Sequence, residues 1–250
     1  MPARFDLSGR RLLITGAGRG LGRSLAVGAA RAGARVAALD VDGEALEETC
    51  RTGEGHVLPY VVDVADRLAF EAAAAAFAGE AGAIDAVVNN AMLIRYEPLE
   101  ALSEEMLDRM LAIGVKGAVW GAQALVRHKA EGQDAALLTL TSPVGERGYP
   151  GTLAYAMVKG ALASFTRTLS AELGPKGIRV NAVAPGSIPT PGAIAITPKD
   201  EYERRAGSIP LRRLGSEEEC TAAMLFLLSD AAAFITGETL HIDGGIAAKG

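Results

Sequence analysis

The sequence predicts an α/β fold in which one parallel sheet of seven strands lies between two layers of helices. Short aliphatic runs alternate along the chain with longer, Ala- and Leu-rich amphipathic segments, and this alternation is typical of βαβ units. A glycine-rich turn directly follows the first aliphatic run. The chain has 250 residues, of which 49% are hydrophobic, so it is long enough to bury one large core. We therefore expect a single domain over residues 1–250.

Each predicted element follows from its local composition. Aliphatic and β-branched runs predict strands at 11–15, 35–39, 56–62, 84–89, 135–141, 178–183 and 238–242. Periodic segments rich in Ala and Leu predict helices at 20–32, 43–51, 66–81, 103–129, 152–174 and 217–229. Ser103 has the character of a helix start, and left-handed C-terminal caps are expected at Gly33, Gly174 and Gly177.

One long segment, from Pro185 to Pro210, breaks this rhythm. It contains five prolines and has little periodicity. Because long irregular connections in compact domains are often functional, we expect a lid over a substrate site at about 187–212.

The composition argues against several classes of function. The 25 basic and 30 acidic residues give a net charge of −5, so the chain lacks the basic footprint of a nucleic-acid or membrane-surface partner. The apolar stretch 111–126 is interrupted by Lys116 and is too short to span a membrane. The N-terminus lacks the apolar region of a secretory signal, and Cys50 and Cys220 do not suggest a disulfide framework. The cysteines and histidines also lack metal-ligand spacing. We expect a cytoplasmic protein without a metal.

The glycine-rich turn TGAGRGLG spans residues 15–22 and joins the first strand to the first helix. Glycines there allow a tight turn, and the helix N-terminus presents N–H groups and partial positive charge to a pyrophosphate. The alternative is a turn that binds nothing. Asp40 closes the second strand, where a carboxylate can accept hydrogen bonds from an adenosine ribose; alternatively it is a turn residue with Asp42.

Polar residues also close the next two predicted strands. Asp63 ends the third, and Asn89, Asn90 and Ala91 end the fourth. Ligands bind outside the carboxyl ends of the strands in open parallel sheets. The series therefore predicts a doubly wound, Rossmann-type three-layer α/β/α sandwich that binds a dinucleotide.

A second group of residues has the chemistry of proton transfer. Tyr155 and Lys159 are four apart on a predicted helix and share one face, and Ser142 ends the fifth strand. A hydride leaves an alcohol carbon only as the hydroxyl proton departs, so a base must lie at that oxygen. Lowering a tyrosine pKa from ~10 to about 7 requires roughly 4 kcal/mol. An ammonium at ~4 Å supplies about that much, so Lys159 alone is expected to suffice. The alternative is a solvated helix face.

Taken together, these motifs resemble the classical short-chain dehydrogenase/reductase family, over nearly the whole chain. The resemblance rests on TGAGRGLG at 15–22, Asp63-Val64, NNA at 89–91, Ser142, YAMVK at 155–159, RVNAVAPG at 179–186 and HIDGG at 241–245. It implies one catalytic and dinucleotide-binding domain, in which Tyr155 is the acid/base, Lys159 binds the nicotinamide ribose and Ser142 orients the substrate. The implied cofactor-binding residues are Gly16, Arg19, Gly20, Leu21, Gly22, Asp40, Asp63, Val64, Asn90, Tyr155, Lys159, Pro185, Gly186, Ile188 and Thr190.

Two positions depart from the family pattern. Met92 stands where the family's NNAG motif has its last glycine, and it either shapes the pocket or packs in the core. Gly114 stands where the family usually has an asparagine that holds a helix kink and a water in a proton relay. Glycine tolerates a kink and keeps the backbone carbonyl, so the relay can survive without the side chain.

The implied reaction is NAD-dependent hydride transfer between a secondary alcohol and its ketone. Arg19 would favour the 2′-phosphate of NADP, but Asp40 would repel it, so NAD is expected. The alternatives are a catalytically silent sensor or scaffold that binds the cofactor and, within the same class, an NADP-dependent 3-oxoacyl-type reductase. The candidate substrate pocket is mostly apolar, with two arginines that could meet an anionic group: Leu93, Ile94, Pro143, Val144, Tyr149, Ile188, Ile194, Arg95 and Arg147.

The segment from Met106 to Val126 is apolar on more than one helix face, so it requires cover on both sides. The sheet can cover only one side. In the resembled family this helix and the one at 152–174 form one dimer contact, and the last strand with its HIDGG tail forms another. We expect a homotetramer with Trp120 at or near the first contact. The alternative places Trp120 in the core of the monomer.

Overall fold

Seven parallel strands form one sheet in the order β3-β2-β1-β4-β5-β6-β7, which confirms the predicted fold class. The computed structural model describes residues 5–195 and 197–249. The strands are β1 (Arg11–Thr15), β2 (Arg35–Asp40), β3 (Val57–Val61), β4 (Ala86–Asn89), β5 (Ala135–Leu140), β6 (Ile178–Pro185) and β7 (Thr239–Ile242). Strand order reverses between β1 and β4, and this crevice is where doubly wound sheets bind ligands.

The helices pack on both faces of the sheet. They are α1 (Gly20–Arg31), α2 (Gly43–Thr52), α3 (Arg67–Ala81), α4 (Glu104–Leu111), α5 (Gly117–His128), α6 (Leu153–Leu173), α7 (Pro191–Ile194), α8 (Lys199–Ser208) and α9 (Glu217–Leu228). Side-chain oxygens of Asp42, Asp66, Ser103 and Ser216 accept backbone hydrogen bonds at the starts of α2, α3, α4 and α9. The predicted helix start at Ser103 is confirmed.

Three sequence-based expectations were wrong in detail. The predicted helix 103–129 is divided by a π-helical segment, Ala112–Lys116, with Gly114 at its centre. The irregular lid segment contains α7 and α8, because Pro191 occupies the first turn of α7 and Pro198 directly precedes α8, positions where proline begins a helix. Gly174 has a φ of −53° and begins a short 3₁₀ turn, whereas Gly177, at a φ of 72°, is left-handed as expected.

The alternation of side chains along the strands divides the core between the two faces. On β1, Leu12 and Ile14 belong to a cluster with α1 and α9, whereas Leu13 belongs to a second cluster with α3 and α5. A third cluster contains Met110, Tyr155, Val158 and Leu162 and packs α4 and α6 against each other. This third cluster holds the candidate site in place.

Two further findings concern the expected surroundings of the chain. Among the helices within the described residues, none is long and apolar enough to cross a membrane.

Trp120 is partly buried against the second core cluster, and the Arg67 guanidinium lies 4.9 Å from its ring centroid. The chain itself therefore covers much of this side chain.

Candidate active site

The glycine-rich turn is tied to the end of β4. The Asn90 side-chain amide donates to the carbonyls of Thr15 and Gly16, at 2.8 and 2.9 Å. Gly16 has a φ of 65°, and a Cβ on Gly22 would lie 2.0 Å from the Gly16 oxygen. Side chains cannot be added here without moving the backbone, so the glycines hold the turn close against α1.

Among the described residues, no side chain caps the N-terminus of α1, as is also the case at α6 and α8. The first-turn N–H groups therefore remain available to an anion. Arg23, which sequence reasoning missed, stabilises the turn. Its Nε and one terminal nitrogen donate to the Gly18 carbonyl at 2.9 and 2.6 Å. No sequence pattern marks it, since an arginine near a helix start is usually solvated.

Asp40 lies at the end of β2 beside the glycine turn, as predicted. One of its carboxylate oxygens accepts from the Gly18 N–H at 2.8 Å, and the other accepts from the Asp42 N–H at 3.1 Å. Each oxygen keeps a lone pair for another donor. The Arg19 guanidinium pairs with the Asp42 carboxylate, so its charge is already balanced within the turn.

Asp63 and Val64 follow β3 and are held by α4 and α5. Burial disfavours the Asp63 carboxylate, but the Ala65 N–H and Arg109, at 2.8 Å, together lower its pKa. Val64 is 5% exposed, and its side chain packs beside Gly117 of α5. The side chain of Val64 is therefore taken up by the core, which sequence reasoning did not foresee.

The loop after β6 faces the glycine turn. A Cβ on Gly20 would lie 3.4 Å from the Thr190 Cβ, so these two predicted cofactor residues come together. Gly186 sits closely against Asp243, where a Cβ would come within 2.7 Å of the Asp243 Cα. Ile188 is 6% exposed and packs into the first core cluster.

Ser142, Tyr155 and Lys159 are all buried and converge at the end of β5, where Ser142 hydrogen-bonds with Tyr155 and Lys159 reaches Leu140. The Lys159 ammonium donates to the Leu140 carbonyl at 2.6 Å, and its Nζ lies 5.4 Å from the Tyr155 ring centroid. Burial lowers the pKa of Lys159 to about 8. The Ser142 Oγ accepts from the Val144 N–H at 3.3 Å, and its hydroxyl is hydrogen-bonded with Tyr155.

The expectation that Lys159 alone lowers the pKa of Tyr155 was wrong. Burial raises the pKa of Tyr155, Tyr96 adds to this, and only the hydrogen bond with Ser142 opposes it. Burial also disfavours the charge on Lys159, which is directed at a backbone carbonyl. The protein's own groups therefore keep Tyr155 protonated at neutral pH.

Tyr96 is a second residue that sequence reasoning missed. Its ring meets the Tyr155 ring edge to face, with 5.7 Å between centroids. Burial raises the pKa of Tyr96, and the positive charge of Arg205 on α8 opposes this. Helix α8 of the predicted lid thus lies close enough to act on a side chain that touches Tyr155.

The predicted pocket residues fall into two groups. Leu93, Ile94 and Val144 pack around the cluster that contains Tyr155, and Pro143 is buried nearby, whereas Tyr149 and Ile194 are exposed. Neither arginine is free for an anionic substrate: Arg95 pairs with Glu97 at 2.9 Å, and Arg147 donates to the carbonyls of Ile246 and Lys249. Arg147 fastens the C-terminal tail instead.

Comparison with known proteins adds to this geometry. Residues 16–247 match a family model described as enoyl-(acyl carrier protein) reductase. The chain is 36% identical over 243 residues to a 3-oxoacyl-(acyl-carrier-protein) reductase of Thermotoga maritima, covering 96% of this chain and 98% of the relative. A short-chain dehydrogenase/reductase of Brucella melitensis, named a glucose/ribitol dehydrogenase, superposes with a TM-score of 0.92 at 32% identity, covering 97% of this chain and 98% of that one. A 3-ketoacyl-(acyl-carrier-protein) reductase of the same organism, solved with NADH, has a TM-score of 0.91 at 32% identity, covering 97% and 100%.

The lowered pKa of Lys159 predicts a pH dependence of stability. The unfolded chain keeps the ordinary value of 10.5, whereas the folded value is about 8, so the unfolded state binds more protons between these values. The free energy of unfolding should therefore rise as pH increases through that window. Below it, the full cost of burying the protonated Lys159 should be present. Urea unfolding of wild type and Lys159→Met from about pH 7 to about pH 9.5 isolates the effect. The difference between them should move in favour of wild type with rising pH, and parallel profiles would contradict the assignment.

Proposed function

The chain belongs to the short-chain dehydrogenase/reductase family, and from that premise we propose that it transfers hydride between NAD and a secondary alcohol or its ketone. The observation that carries the proposal is the burial of Ser142, Tyr155 and Lys159 at the sheet edge that also carries the glycine turn. The oxidoreductase names of its relatives support the same reaction class.

The residues present fit a nicotinamide dinucleotide. The uncapped first turn of α1 would hold the pyrophosphate, and the free lone pairs of Asp40 would accept the adenosine ribose hydroxyls. Tyr155 and Lys159 would face the nicotinamide ribose, opposite the loop that carries Thr190. NADH in a relative of 32% identity supports this class of cofactor. When bound, NAD⁺ supplies the hydride acceptor and a cationic ring.

In the proposed oxidation, the Ser142 hydroxyl exchanges its hydrogen bond with Tyr155 for one donated to the substrate oxygen, while its Oγ still accepts from the Val144 N–H. Tyr155 takes the hydroxyl proton as the hydride leaves the carbon, and it returns a proton to the oxygen in the reverse direction. Because burial raises the pKa of Tyr155, this step needs positive charge nearby. Lys159 contributes that charge from the same helix face.

The apolar wall formed by Leu93, Ile94 and Val144 would hold the carbon skeleton of the substrate. We place the substrate lid at 187–212, of which residue 196 lies outside the described residues. The effect of the Arg205 charge, on α8, on the pKa of Tyr96 supports a lid that lies near the reacting groups. Residues 1–250 then act as one catalytic domain, of which residues 1–4 and 250 also lie outside the described part. We place the protein in the cytoplasm, which its two free cysteines support.

One alternative within the class is an NADP-dependent 3-oxoacyl-type reductase, which the name of the Thermotoga relative favours. The Asp40 carboxylate and the pairing of Arg19 with Asp42 both argue against it. A silent sensor is the other alternative, and turnover with any alcohol excludes it.

The acid/base role predicts that Tyr155→Phe lowers turnover by about 10²- to 10⁴-fold, because only the proton-transferring oxygen is lost. NAD binding should be largely kept. A panel of secondary alcohols, followed by NADH absorbance, identifies a substrate and measures the loss. Tyr60→Phe, on the exposed edge strand β3, is the matched control and should behave as wild type. More than about a tenth of wild-type activity in Tyr155→Phe would overturn the role.

Cofactor choice should follow Asp40. A carboxylate about 4 Å from a 2′-phosphate costs on the order of 4 kcal/mol at an effective dielectric of 20, so NAD should bind more tightly than NADP. Asp40→Ala should reduce the difference in affinity between NAD and NADP. Asp42→Ala, which releases Arg19, should shift the preference in the same direction. Calorimetric titration with both dinucleotides checks this, and tighter binding of NADP by wild type would be the contrary result.

The proposed assembly is a homotetramer built on two apolar patches. One is spread along α5 and α6 and includes the exposed side chains of Val126, Leu153 and Met157, and the other includes Phe234, which is fully exposed, and Leu240 of β7. Light scattering should give four times the chain mass of 25.8 kDa. Met157→Glu and Phe234→Glu should each reduce the assembly to dimers, because each places a charge in a different contact. A stable wild-type monomer that still turns over substrate would contradict this assembly.

A further inference from the structure

The π-helical segment Ala112–Lys116 lies unusually close to α6. A Cβ on Gly114 would lie 2.4 Å from the Val158 Cγ1 and 3.0 Å from the Met92 Sδ. Carbon atoms in ordinary contact are about 3.5–4.0 Å apart, so the first distance leaves no room for even a methyl group. The absence of a side chain at position 114 is therefore what allows this approach.

The two neighbours differ in how far they can yield. Val158 is fully buried, and a β-branched side chain in a helix has one strongly preferred rotamer, so it cannot swing away. Met92 is only partly buried, and its unbranched chain adapts to irregular gaps. Val158 is thus the rigid partner that requires glycine at 114, and Met92 fills the space that remains.

This contact lies on α6 next to the proposed reacting groups. Val158 precedes Lys159 on α6 and shares the third core cluster with Tyr155. Gly114 and Lys159 also line the same small cavity, of about 10 Å³, which cannot absorb a displaced side chain. Any outward shift of α6 from the π-helical segment therefore moves Tyr155 and Lys159 together.

We propose that Gly114 is a positioning residue, whose close fit against Val158 sets the depth at which α6 presents Tyr155 and Lys159. The inference rests on the proposed function for its effect on catalysis, but the fit itself is independent of it. Met92 completes the packing and belongs to the same arrangement.

The test is a double-mutant comparison of Gly114→Ala, Val158→Ala and the double variant. Gly114→Ala should lower the melting temperature and weaken NAD binding measured by calorimetry. With an alcohol found in the substrate panel, it should also lower kcat by about ten- to a hundredfold, the effect of misplacing reacting groups by about 1 Å. The double variant should recover most of each loss, because it returns the space that the new methyl group needs. Gly79→Ala, at a helical glycine with nothing within 4 Å, controls for helix propensity and should be neutral or stabilising.

Three results would overturn the proposal. Losses in the double variant that add rather than recover would show that the two residues are not coupled. If Met92→Ala, combined with Gly114→Ala, restored stability and activity as fully as Val158→Ala does, Val158 would not be the rigid partner. A lower melting temperature with unchanged NAD binding and kcat would reduce Gly114 to a structural residue. If no alcohol is oxidised by wild type, the proposed function fails, while melting and NAD binding still decide the role of Gly114.

Discussion

The hydrogen bonds of Thr15 and Asn90 between β1 and β4 set the position of the whole ligand edge. The Thr15 hydroxyl donates to the Val88 carbonyl at 3.2 Å and accepts from the N–H groups of Asn90 and Ala91 at 3.0 and 3.1 Å. The Asn90 amide completes the junction by holding the carbonyls of Thr15 and Gly16. These bonds lie where the strand order reverses, so the glycine turn and the end of β4 move as one unit. Because the junction is partly buried, each bond left unmade would carry the cost of an unpaired polar group.

At the other side of the crevice, burial and charge oppose each other. Burial raises the pKa of Tyr155 and lowers that of Lys159, so it works against the charged form of each group, although Lys159, with a pKa of about 8, remains cationic at neutral pH. A site of this kind leaves proton transfer dependent on what binds beside it, because a nearby cation is worth far more in a dry pocket than in water. The hydrogen bond with Ser142 opposes the effect of burial on the pKa of Tyr155. The proposed reaction therefore uses the dinucleotide both as hydride acceptor and as part of the electrostatic environment.

Sequence patterns were reliable where one local rule decides the outcome. The alternation of strands and helices predicted the sheet, and the glycine spacing predicted the turn at 15–22, because only glycine fits the close approach of residues 16 and 22. Patterns failed where contacts between distant segments decide. The pairing of Arg109 with Asp63, the hydrogen bonds of Arg147 to the C-terminal tail and the edge-to-face contact of Tyr96 with Tyr155 join residues far apart in the chain. The fit of Gly114 against Val158 belongs to the same class, since periodicity reports neither distance nor rotamer.

The fate of the hydrogen on the reacting carbon tests the central claim most directly. A secondary alcohol deuterated at its carbinol carbon, incubated with the protein and NAD⁺, should pass that deuterium as hydride to the nicotinamide, while the hydroxyl proton leaves through Tyr155 to solvent. Mass spectrometry of the reduced dinucleotide should then find one deuterium in NADH. Oxidation of the alcohol with unlabelled NADH, or with the deuterium released to water, would contradict the account.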